Sequence, residues 1–324
     1  MSSLPKITFG CGLYDRMVPL ATGEVKADGI DLEFVPVHNP RDLFDRMARG
    51  EGYDAGEMSM SEYVTRFAAG QCPFVAIPAF PSRMFRHGFI VVDSRAIREP
   101  KDLEGKRVGV QLYTMTAAVW IRGLLQQDHG VDLSTIDWIE GAIDAPTTHG
   151  KPTVLPPLKP VSLTANVSGK SLSELLEAGD IQAIIGAELP SCLGKAPHVT
   201  RLFPDYREAE KAYWHRHKIF PIMHLVVLRR DVHERHPAAA ARLFKALDDS
   251  KALAYRRMRY LGALRYMLPW LAADVEEIDA VFGGDPWPYG VEPNRPTLEA
   301  FVQHLIDQSM IDRQVQIEDL FVKV

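Results

Sequence analysis

The amino-acid sequence predicts an α/β protein with two lobes. Its 324 residues are roughly twice the length of a typical domain. Apolar residues account for 46% and charged residues for 24%, values that exclude collagen-like and disordered chains. Strand and helix patterns alternate through the first lobe, and the alternation then restarts. A succession of this kind predicts a parallel sheet with right-handed crossovers in each lobe.

The first unit alternates short strands with short helices. Period-two alternation or a short apolar run predicts strands at 6–11, 30–37, 53–58 and 75–80. Helical spacing of apolar residues predicts helices between them at 14–20, 41–50 and 61–69. Glycines close the last two of these helix patterns, as is common at helix ends.

The second unit repeats this order and leads into a helical C-terminal region. Strand patterns continue at 89–92, 106–110, 136–140, 181–186 and 222–228. Helix patterns cover 116–127, 172–178, 237–268, 274–282 and 297–308. Trp120 and Trp138 are expected in the core. Residues 144–164 are rich in proline and polar residues, which predicts a long surface loop.

The chain is weakly acidic. Its 37 Lys and Arg residues against 42 Asp and Glu give a net charge of −5, so we expect no nucleic-acid partner. Cys11, Cys72 and Cys192 are widely spaced, which predicts neither a disulfide framework nor a metal-binding CxxC motif. We recognise no membrane-spanning run and no secretory leader at residues 1–9. We therefore expect a cytoplasmic protein that does not bind membranes.

Three short segments are candidates for lining a ligand-binding cleft. In open α/β sheets, ligands bind beyond the carboxyl ends of strands and at helix N-termini. Segments 12–16, 57–61 and 111–116 follow predicted strands and lead into predicted helices. Loop 82–87 leads toward the second unit, so we expect it to line the same cleft.

Several of these segments carry motifs that a known family shares. The most specific runs are Pro-Ser-Arg-Met-Phe-Arg-His at 81–87 and Trp-Pro-Tyr-Gly-Val-Glu-Pro-Asn at 287–294. Further runs are Gly-Leu-Tyr-Asp-Arg at 12–16 and Asp-Ala-Gly-Glu-Met-Ser at 54–59. On these motifs the chain resembles the 4,5-dihydroxyphthalate decarboxylase family, within the type II periplasmic-binding-protein-like superfamily. The resemblance covers nearly the whole chain and departs from the family pattern in loop 144–164, where we expect no chemistry.

The resemblance implies a two-lobed type II periplasmic-binding-protein-like fold with a central cleft. It places residues 1–92 and 222–324 in the first lobe and residues 93–221 in the second. Two hinge crossings would then lie near 91–95 and near 218–223.

The resemblance also implies that the protein is a carboxy-lyase. The expected reaction converts 4,5-dihydroxyphthalate, or a close hydroxylated aromatic diacid, to protocatechuate and CO2 during phthalate degradation. The alternative is a non-catalytic binding protein or sensor for a small aromatic acid on the same fold. The lack of a recognisable leader disfavours a transport receptor, and residues 1–12 are too short for a helix-turn-helix. A third hypothesis is an enzyme of this superfamily that acts on a different small molecule.

The chemistry of decarboxylation identifies candidate catalytic residues. Direct loss of CO2 would leave an unstable aryl anion, so the ring carbon must first be protonated. An imidazole titrates near neutral pH, which makes His87 or His224 the expected proton donor. Glu57 or the second histidine would hold the phenol, and Arg83 or Arg86 would grip the other carboxylate with a planar fork of donors. Each residue also has a structural alternative. The histidines would be packed at the hinge, Glu57 would form an ion pair with a nearby arginine, and the two arginines would lie in a solvated basic turn or a structural ion pair.

Other polar residues at strand ends and helix starts are expected to bind the substrate. Hydroxyl groups and free backbone N–H groups at a helix N-terminus form an anion site. The expected substrate-binding residues, in addition to the arginines, are Tyr14, Arg16, Ser59, Tyr113, Thr114, Thr116 and Ser191.

The sequence signals no cofactor. It contains no GxSxG, HExxH or P-loop motif, and no GxGxxG that opens a helix after a strand. The pairs His215/His217 and His233/His236 have metal-ligand spacing, but they lie in charged stretches and are expected to be exposed. We therefore predict no metal site, while a divalent metal and a homo-oligomeric state are left open.

Overall fold

The computed structural model describes residues 4–147 and 153–324. The strands in these ranges are, in chain order, β1 Lys6–Cys11, β2 Asp31–Pro36, β3 Ala55–Ser59, β4 Phe74–Arg83, β5 Ile90–Asp93, β6 Arg107–Val110, β7 Asp137–Glu140, β8 Leu163–Ala165, β9 Ala183–Ile185, β10 Val199–Arg201 and β11 Ile222–Arg229. The α-helices in these ranges are α1 Val18–Ala21, α2 Pro40–Ala48, α3 Met60–Ala68, α4 Thr116–His129, α5 Leu172–Ala178, α6 Tyr206–His217, α7 Arg230–Arg235, α8 Ala239–Met258, α9 Leu271–Phe282, α10 Arg295–Asp307 and α11 Ile317–Leu320.

Two sheets share one plan. The first has the strand order β2-β1-β3-β11-β4, and the second has the order β10-β5-β9-β6-β7-β8. In the first sheet β1 is parallel to β2 and β3, whereas β11 is antiparallel to β3 and β4. In the second, β6 is parallel to β7 and β9, whereas β5 is antiparallel to β9 and β10. β5 is the first strand that the chain forms in the second sheet, and β11 is the strand that it forms on returning to the first sheet. The predicted two-lobed α/β class is confirmed.

The chain first crosses between the sheets earlier than predicted. β4 ends at Arg83 in the first sheet and β5 begins at Ile90 in the second, so the crossing occupies 84–89 rather than 91–95. Period-two alternation identifies a strand but does not show which sheet it joins, and β5 pairs with β9 and β10. The second crossing connects α6 to β11.

Two helical segments differ from the prediction. The pattern at 237–268 forms a helix only as far as Met258, and the apolar side chains that follow it, including the fully exposed Met267, do not face the core. Gly262, within this stretch, disfavours helix. Helix α6 was not predicted, because Tyr213 is its one buried residue and the helix has no broad apolar stripe.

Apolar side chains form one large core and one smaller core. The large one runs through the first lobe and includes side chains of α4 and β7, among them Trp120 and Trp138, which are each 2% exposed as predicted. The smaller one lies in the second lobe and includes Val91, Leu172 and Ile184. Because α4 contributes to the large core, the two lobes are packed against each other around the cleft.

The loop between β7 and β8 does not lie entirely on the surface as predicted. Residues 148–152 of this loop are outside the described residues. Val154 is only 5% exposed, and the carbonyl of Thr153 accepts a hydrogen bond at 2.8 Å from Arg66, on α3 of the first lobe. A proline-rich composition indicates irregular backbone, but it carries no signal for such tertiary anchors.

Candidate functional site

A cavity of about 210 Å³ lies between the two lobes. Its polar wall residues are Asn39, Arg41, Ser59, Ser82, Arg86, Gln111, Thr116, Glu188 and His224. Its larger apolar wall residues are Phe44, Leu112, Met115, Val154 and Met223. An apolar cavity of about 150 Å³ is known to hold benzene, so this space is adequate for one substituted aromatic ring.

A second cavity, of about 330 Å³, lies beside the two crossings. Phe85, Phe220 and Trp287 form much of its mostly apolar wall. Its cations, Arg16 and Lys251, are both bonded to groups of the protein. Although this cavity is larger, the convergence of polar groups places the candidate site in the smaller one.

His224 and Glu57 form a pair at the cavity wall. Strand pairing sets His224 opposite Ser59 and Val226 opposite Glu57. Because side chains alternate between the faces of a strand, Glu57 and His224 are diagonal neighbours on one face. Nδ1 of His224 lies 2.6 Å from Oε1 of Glu57. The other ring nitrogen, Nε2, has no hydrogen-bond partner within the described ranges and is available to a ligand in the cavity.

Glu57 is completely buried among hydrogen-bond donors. The hydroxyl of Tyr14 donates at 2.9 Å, the backbone N–H of Gly12 at 3.1 Å and the thiol of Cys11 at 3.4 Å. Burial opposes ionisation of the carboxyl, but the charge and hydrogen bond of His224, together with the other donors, lower the pKa of Glu57. Glu57 is therefore a carboxylate at neutral pH that orients His224. It does not line the cavity, so the expectation that it holds the phenol is not supported.

Arg86 is a buried cation at the cavity wall. Its side chain forms no ion pair with the described residues, and its Nε and Nη1 atoms have no hydrogen-bond acceptor there. Its guanidinium carbon lies 4.8 Å from the ring centroid of Phe89. Burial lowers the pKa of Arg86 to about 10, so the side chain stays charged at neutral pH. Because a buried charge without a partner is costly, an anionic ligand would be held strongly at this point.

Hydroxyl groups join the two lobes at the cavity. The Oγ atom of Ser59 lies 2.9 Å from Oγ1 of Thr116, and both residues line the cavity. The backbone N–H of Ser61 donates to the same Thr116 oxygen at 3.0 Å, and the hydroxyl of Ser61 donates to the carbonyl of Thr114 at 2.9 Å. These bonds fix the N-terminus of α3 against the N-terminus of α4.

The first turn of α4 and a glutamine add further donors to the cavity. Met115, at the N-cap position, makes no side-chain cap, and the first N–H groups of a helix have no partner within the helix. Gln111 accepts a hydrogen bond at 3.2 Å from the backbone N–H of Ala187 through its amide oxygen. Its amide nitrogen therefore stays available as a donor. Such donors at a helix N-terminus favour an anionic ligand.

Arg83, the other candidate for carboxylate binding, is bonded inside the protein instead. Its guanidinium donates to the carbonyls of Phe220 at 3.4 Å and Pro288 at 2.9 Å, and also to the side chain of Asn294. Burial lowers the pKa of Arg83 to about 9, which still leaves it charged at neutral pH. Arg83 does not line the cavity, and its contacts connect β4 to the C-terminal region of the first lobe.

His87 does not line the cavity either. Its ring packs edge-on against Phe203 and Tyr213, with centroid distances of 5.5 and 5.3 Å. Nδ1 of His87 lies 3.9 Å from Glu210. Burial lowers the pKa of His87 to about 4, so the ring is neutral at pH 7. This placement argues against proton donation by His87 and matches a histidine packed at the hinge.

Tyr14 and Arg16 were expected to bind the substrate, but neither residue lines the candidate cavity of about 210 Å³. Tyr14 donates its hydroxyl to Glu57. The guanidinium carbon of Arg16 lies 4.4 Å from the ring centroids of Tyr14 and Trp287, and its Nε donates to the carbonyl of Pro81 at 2.6 Å. Their contacts are therefore structural, because each polar group is already used within the protein.

Three more expected binding residues lie away from the cavity. The ring of Tyr113 packs against Arg122, whose guanidinium carbon lies 3.7 Å from the ring centroid. Thr114 is buried and contributes a carbonyl to the hydroxyl contacts described above. Ser191 is exposed, with its Oγ 3.3 Å from that of Ser173. Of the hydroxyl residues expected at the start of α4, only Thr116 lines the cavity, because successive residues of a turn point in different directions.

Several wall residues were not among the named candidates. Ser82 and Gln111 lie in segments that were expected to line the cleft, whereas Asn39, Arg41 and Glu188 lie outside those segments. Asn39, three residues after the end of β2, caps α2 by accepting a hydrogen bond from the backbone N–H of Arg41 at 2.9 Å. The rule that ligands bind where a strand ends and a helix begins would have identified this segment as well.

The histidine pairs do not form a metal site in the described ranges. Within 4–147 and 153–324, no group of three or more His, Cys, Asp or Glu side chains is arranged to hold a metal ion. His215 and His217 are exposed as predicted, whereas His233 and His236 are partly buried. None of the helices in the same ranges is long and apolar enough to cross a membrane.

The two-lobed fold around a cleft is that of periplasmic binding proteins. The periplasmic aliphatic sulphonate binding protein SsuA from Escherichia coli is similar, with a TM-score of 0.53 at 12% sequence identity, over 99% of this chain and 93% of that one. The alkanesulfonate-binding protein SsuA from Xanthomonas axonopodis pv. citri has a TM-score of 0.52 at 11% identity, over 100% of both chains. At such identities, the similarity shows the fold.

Sequence comparison identifies the family. The family model described as NMT1/THI5 like matches residues 25–150. The 4,5-dihydroxyphthalate decarboxylase of Comamonas testosteroni is 37% identical over 323 residues, which cover 99% of this chain and 97% of that protein. The enzyme of the same name from Pseudomonas putida is 37% identical over 212 residues, or 65% of this chain and 81% of that protein. The chain belongs to the 4,5-dihydroxyphthalate decarboxylase family.

The two arginines are expected to respond differently to substitution. Arg86→Met should weaken binding of an aromatic diacid by roughly 10- to 100-fold, because a charged hydrogen bond contributes about 1.5–3 kcal/mol. The melting temperature of the Arg86→Met variant should stay the same or rise, because the substitution removes a buried charge that has no ion-pair partner among the described residues. Arg83→Met should lower the melting temperature and change the affinity of the folded protein less. Calorimetric titration with phthalate and thermal unfolding measure both effects, and a larger affinity loss in Arg83→Met would contradict the assignment.

Proposed function

We propose that the chain removes CO2 from 4,5-dihydroxyphthalate and releases protocatechuate. The observation that carries the proposal is the presence, in one cavity, of the Glu57-supported imidazole of His224 and the unpaired cation of Arg86. An aromatic diacid offers a carboxylate to the cation and a ring carbon to the imidazole. The relatives named for this reaction support the choice of substrate. A cytoplasmic location stays a prediction from the sequence.

The reaction requires protonation before the carbon–carbon bond breaks. The imidazolium of His224 donates its Nε2 proton to the ring carbon that bears the departing carboxylate. Electron density from the hydroxyl para to that carbon stabilises the protonated ring. The bond to the carboxylate then breaks, its electron pair restores the aromatic ring, and CO2 leaves. A proton has replaced CO2 on the ring, and His224 regains a proton from solvent.

The residues around the cavity divide this work. The Glu57 carboxylate stabilises the imidazolium and fixes Nε2 toward the cavity. Arg86 binds the carboxylate that remains on the ring, while Ser59 and Thr116 offer hydroxyl groups. We expect the departing carboxylate to face apolar wall residues, because an interaction that stabilised it in the bound substrate would slow its loss.

The first prediction for this function concerns turnover. Purified protein incubated with 4,5-dihydroxyphthalate in D2O should release CO2 and form protocatechuate with one deuterium at the vacated ring carbon. The deuterium is expected because the imidazole proton exchanges with solvent before each transfer. Chromatography with mass spectrometry detects the product. Binding without any product would favour the alternative, a binding protein or sensor for aromatic acids, whose cleft would use the same cation.

The second prediction identifies the proton donor. His224→Gln should lower kcat by roughly two to four orders of magnitude, because general acid catalysis contributes about that factor. The matched control is His87→Gln, which should keep kcat within a few-fold in the folded fraction, since His87 does not reach the cavity. Initial rates and circular dichroism of both variants make the comparison. A greater loss of kcat in His87→Gln would make the assignment wrong.

The third prediction concerns Glu57. Glu57→Gln should lower kcat by at least about tenfold with a smaller change in KM, because a neutral amide does not stabilise the imidazolium. The control Tyr14→Phe removes one hydrogen bond to Glu57 but keeps the carboxylate, so its loss of kcat should be smaller. Steady-state kinetics of the two variants test this order. Equal kcat values for Glu57→Gln and the unmodified protein would exclude the positioning role.

A further inference from the structure

A segment of the second lobe reaches across to the first lobe. Strands β7 and β8 both belong to the second sheet, and residues 153–158 lie in the loop between them. We call residues 153–158 the strap. At its far end, the backbone N–H of Leu158 donates at 2.7 Å to the carbonyl of Ser309, which follows α10. The strap therefore depends on the first lobe for its position.

Thr153 anchors the near end of the strap. Its hydroxyl donates to Asp45 at 3.2 Å and accepts from Arg41 at 3.5 Å, and its carbonyl accepts from Arg66 at 2.8 Å. The partners are themselves ion-paired, with 2.7 Å between Arg41 and Asp45 and 3.1 Å between Arg66 and Glu62. Two helices of the first lobe, α2 and α3, thus fix the backbone and the side chain of Thr153.

Val154 follows the anchor and forms part of the cavity wall. It is 5% exposed and lines the cavity together with Phe44 and Arg41 of α2. A β-branched side chain has few rotamers, so a valine on a fixed backbone presents a wall of nearly constant shape. The aromatic ring of a ligand in this cavity would meet that wall.

We propose that Val154 is a specificity-determining residue that limits the substituents allowed on the substrate ring, and that Thr153 is its positioning residue. This inference rests on the proposed function, because it assumes an aromatic diacid in the cavity. One methylene group in an apolar pocket changes discrimination between ligands by about 10- to 200-fold. The isopropyl group of Val154 is therefore large enough to decide between a ring with and without a methyl group on the side that faces it.

The test compares three ligands that lack the hydroxyl groups needed for turnover. Calorimetric titration gives the Kd of phthalate, 3-methylphthalate and 4-methylphthalate for each variant. We expect the unmodified protein to bind one methyl isomer more weakly than phthalate. The measured quantity is the Kd of that methyl isomer divided by the Kd of phthalate. Val154→Ala should reduce this ratio by about tenfold, because a smaller side chain leaves room for the methyl group. Val154→Leu should increase the ratio. Leu158→Ala is the matched control, since Leu158 belongs to the same strap and is 57% exposed.

Thr153→Val tests the positioning residue with little change of shape. It should move the ratio in the same direction as Val154→Ala, whereas a merely structural role would lower the melting temperature and leave the ratio unchanged. Equal binding of all three ligands by the unmodified protein, or an unchanged ratio in Val154→Ala, would overturn the inference alone. Absence of binding of every ligand by the unmodified protein would contradict the proposed function, and the inference with it.

Discussion

The contact between Glu57 and His224 depends on strands that are far apart in the chain. The two residues are separated by 167 positions, and β11 joins the first sheet only after the chain has passed through the second lobe. Its antiparallel insertion beside β3 puts an imidazole next to a carboxylate that is completely buried. Without that neighbour, Glu57 would lose its 2.6 Å hydrogen bond to the imidazole, which is costly for a buried carboxylate. The same strand pairing therefore joins β11 to β3 and brings the imidazole of His224 against the carboxylate of Glu57.

The two buried arginines at the end of β4 and just after it differ in their hydrogen-bond partners. Arg83 and Arg86 are both buried, but only Arg83 has its guanidinium bonded to carbonyls and an amide oxygen of the protein. The carboxyl group of Glu210 interacts electrostatically with Arg86. Burial raises the pKa of this carboxyl to about 7. A carboxyl that is protonated about half of the time at pH 7 compensates a cation less well than a fully ionised one. The carboxylate of a ligand is consequently the partner that best stabilises Arg86.

The proposed reaction needs both an anion clamp and a proton donor in one cleft. Binding proteins of this fold need only to hold a ligand between two lobes, and helix N-termini with a guanidinium are enough to hold an anion. A decarboxylase additionally needs a group that delivers a proton to carbon. The residue that we propose for this role, His224, lies on β11 of the first sheet, whereas Thr116 and the strap come from the second lobe. A single site thus requires both lobes to be in contact.

The sequence alone was sufficient for most strands and for the two-lobed class, because periodicity and strand–helix alternation are local properties. It also narrowed the candidate site to a few strand ends and to two pairs of alternatives, His87 or His224 and Arg83 or Arg86. In the tertiary structure His224 and Arg86 line the cavity, whereas His87 and Arg83 do not. Each alternative has the same chemistry, and the difference lies in which distant segments surround it: aromatic rings enclose His87, and carbonyls satisfy Arg83. The same holds for the strap and for the charged helix α6, whose positions depend on long-range contacts that a local pattern does not encode.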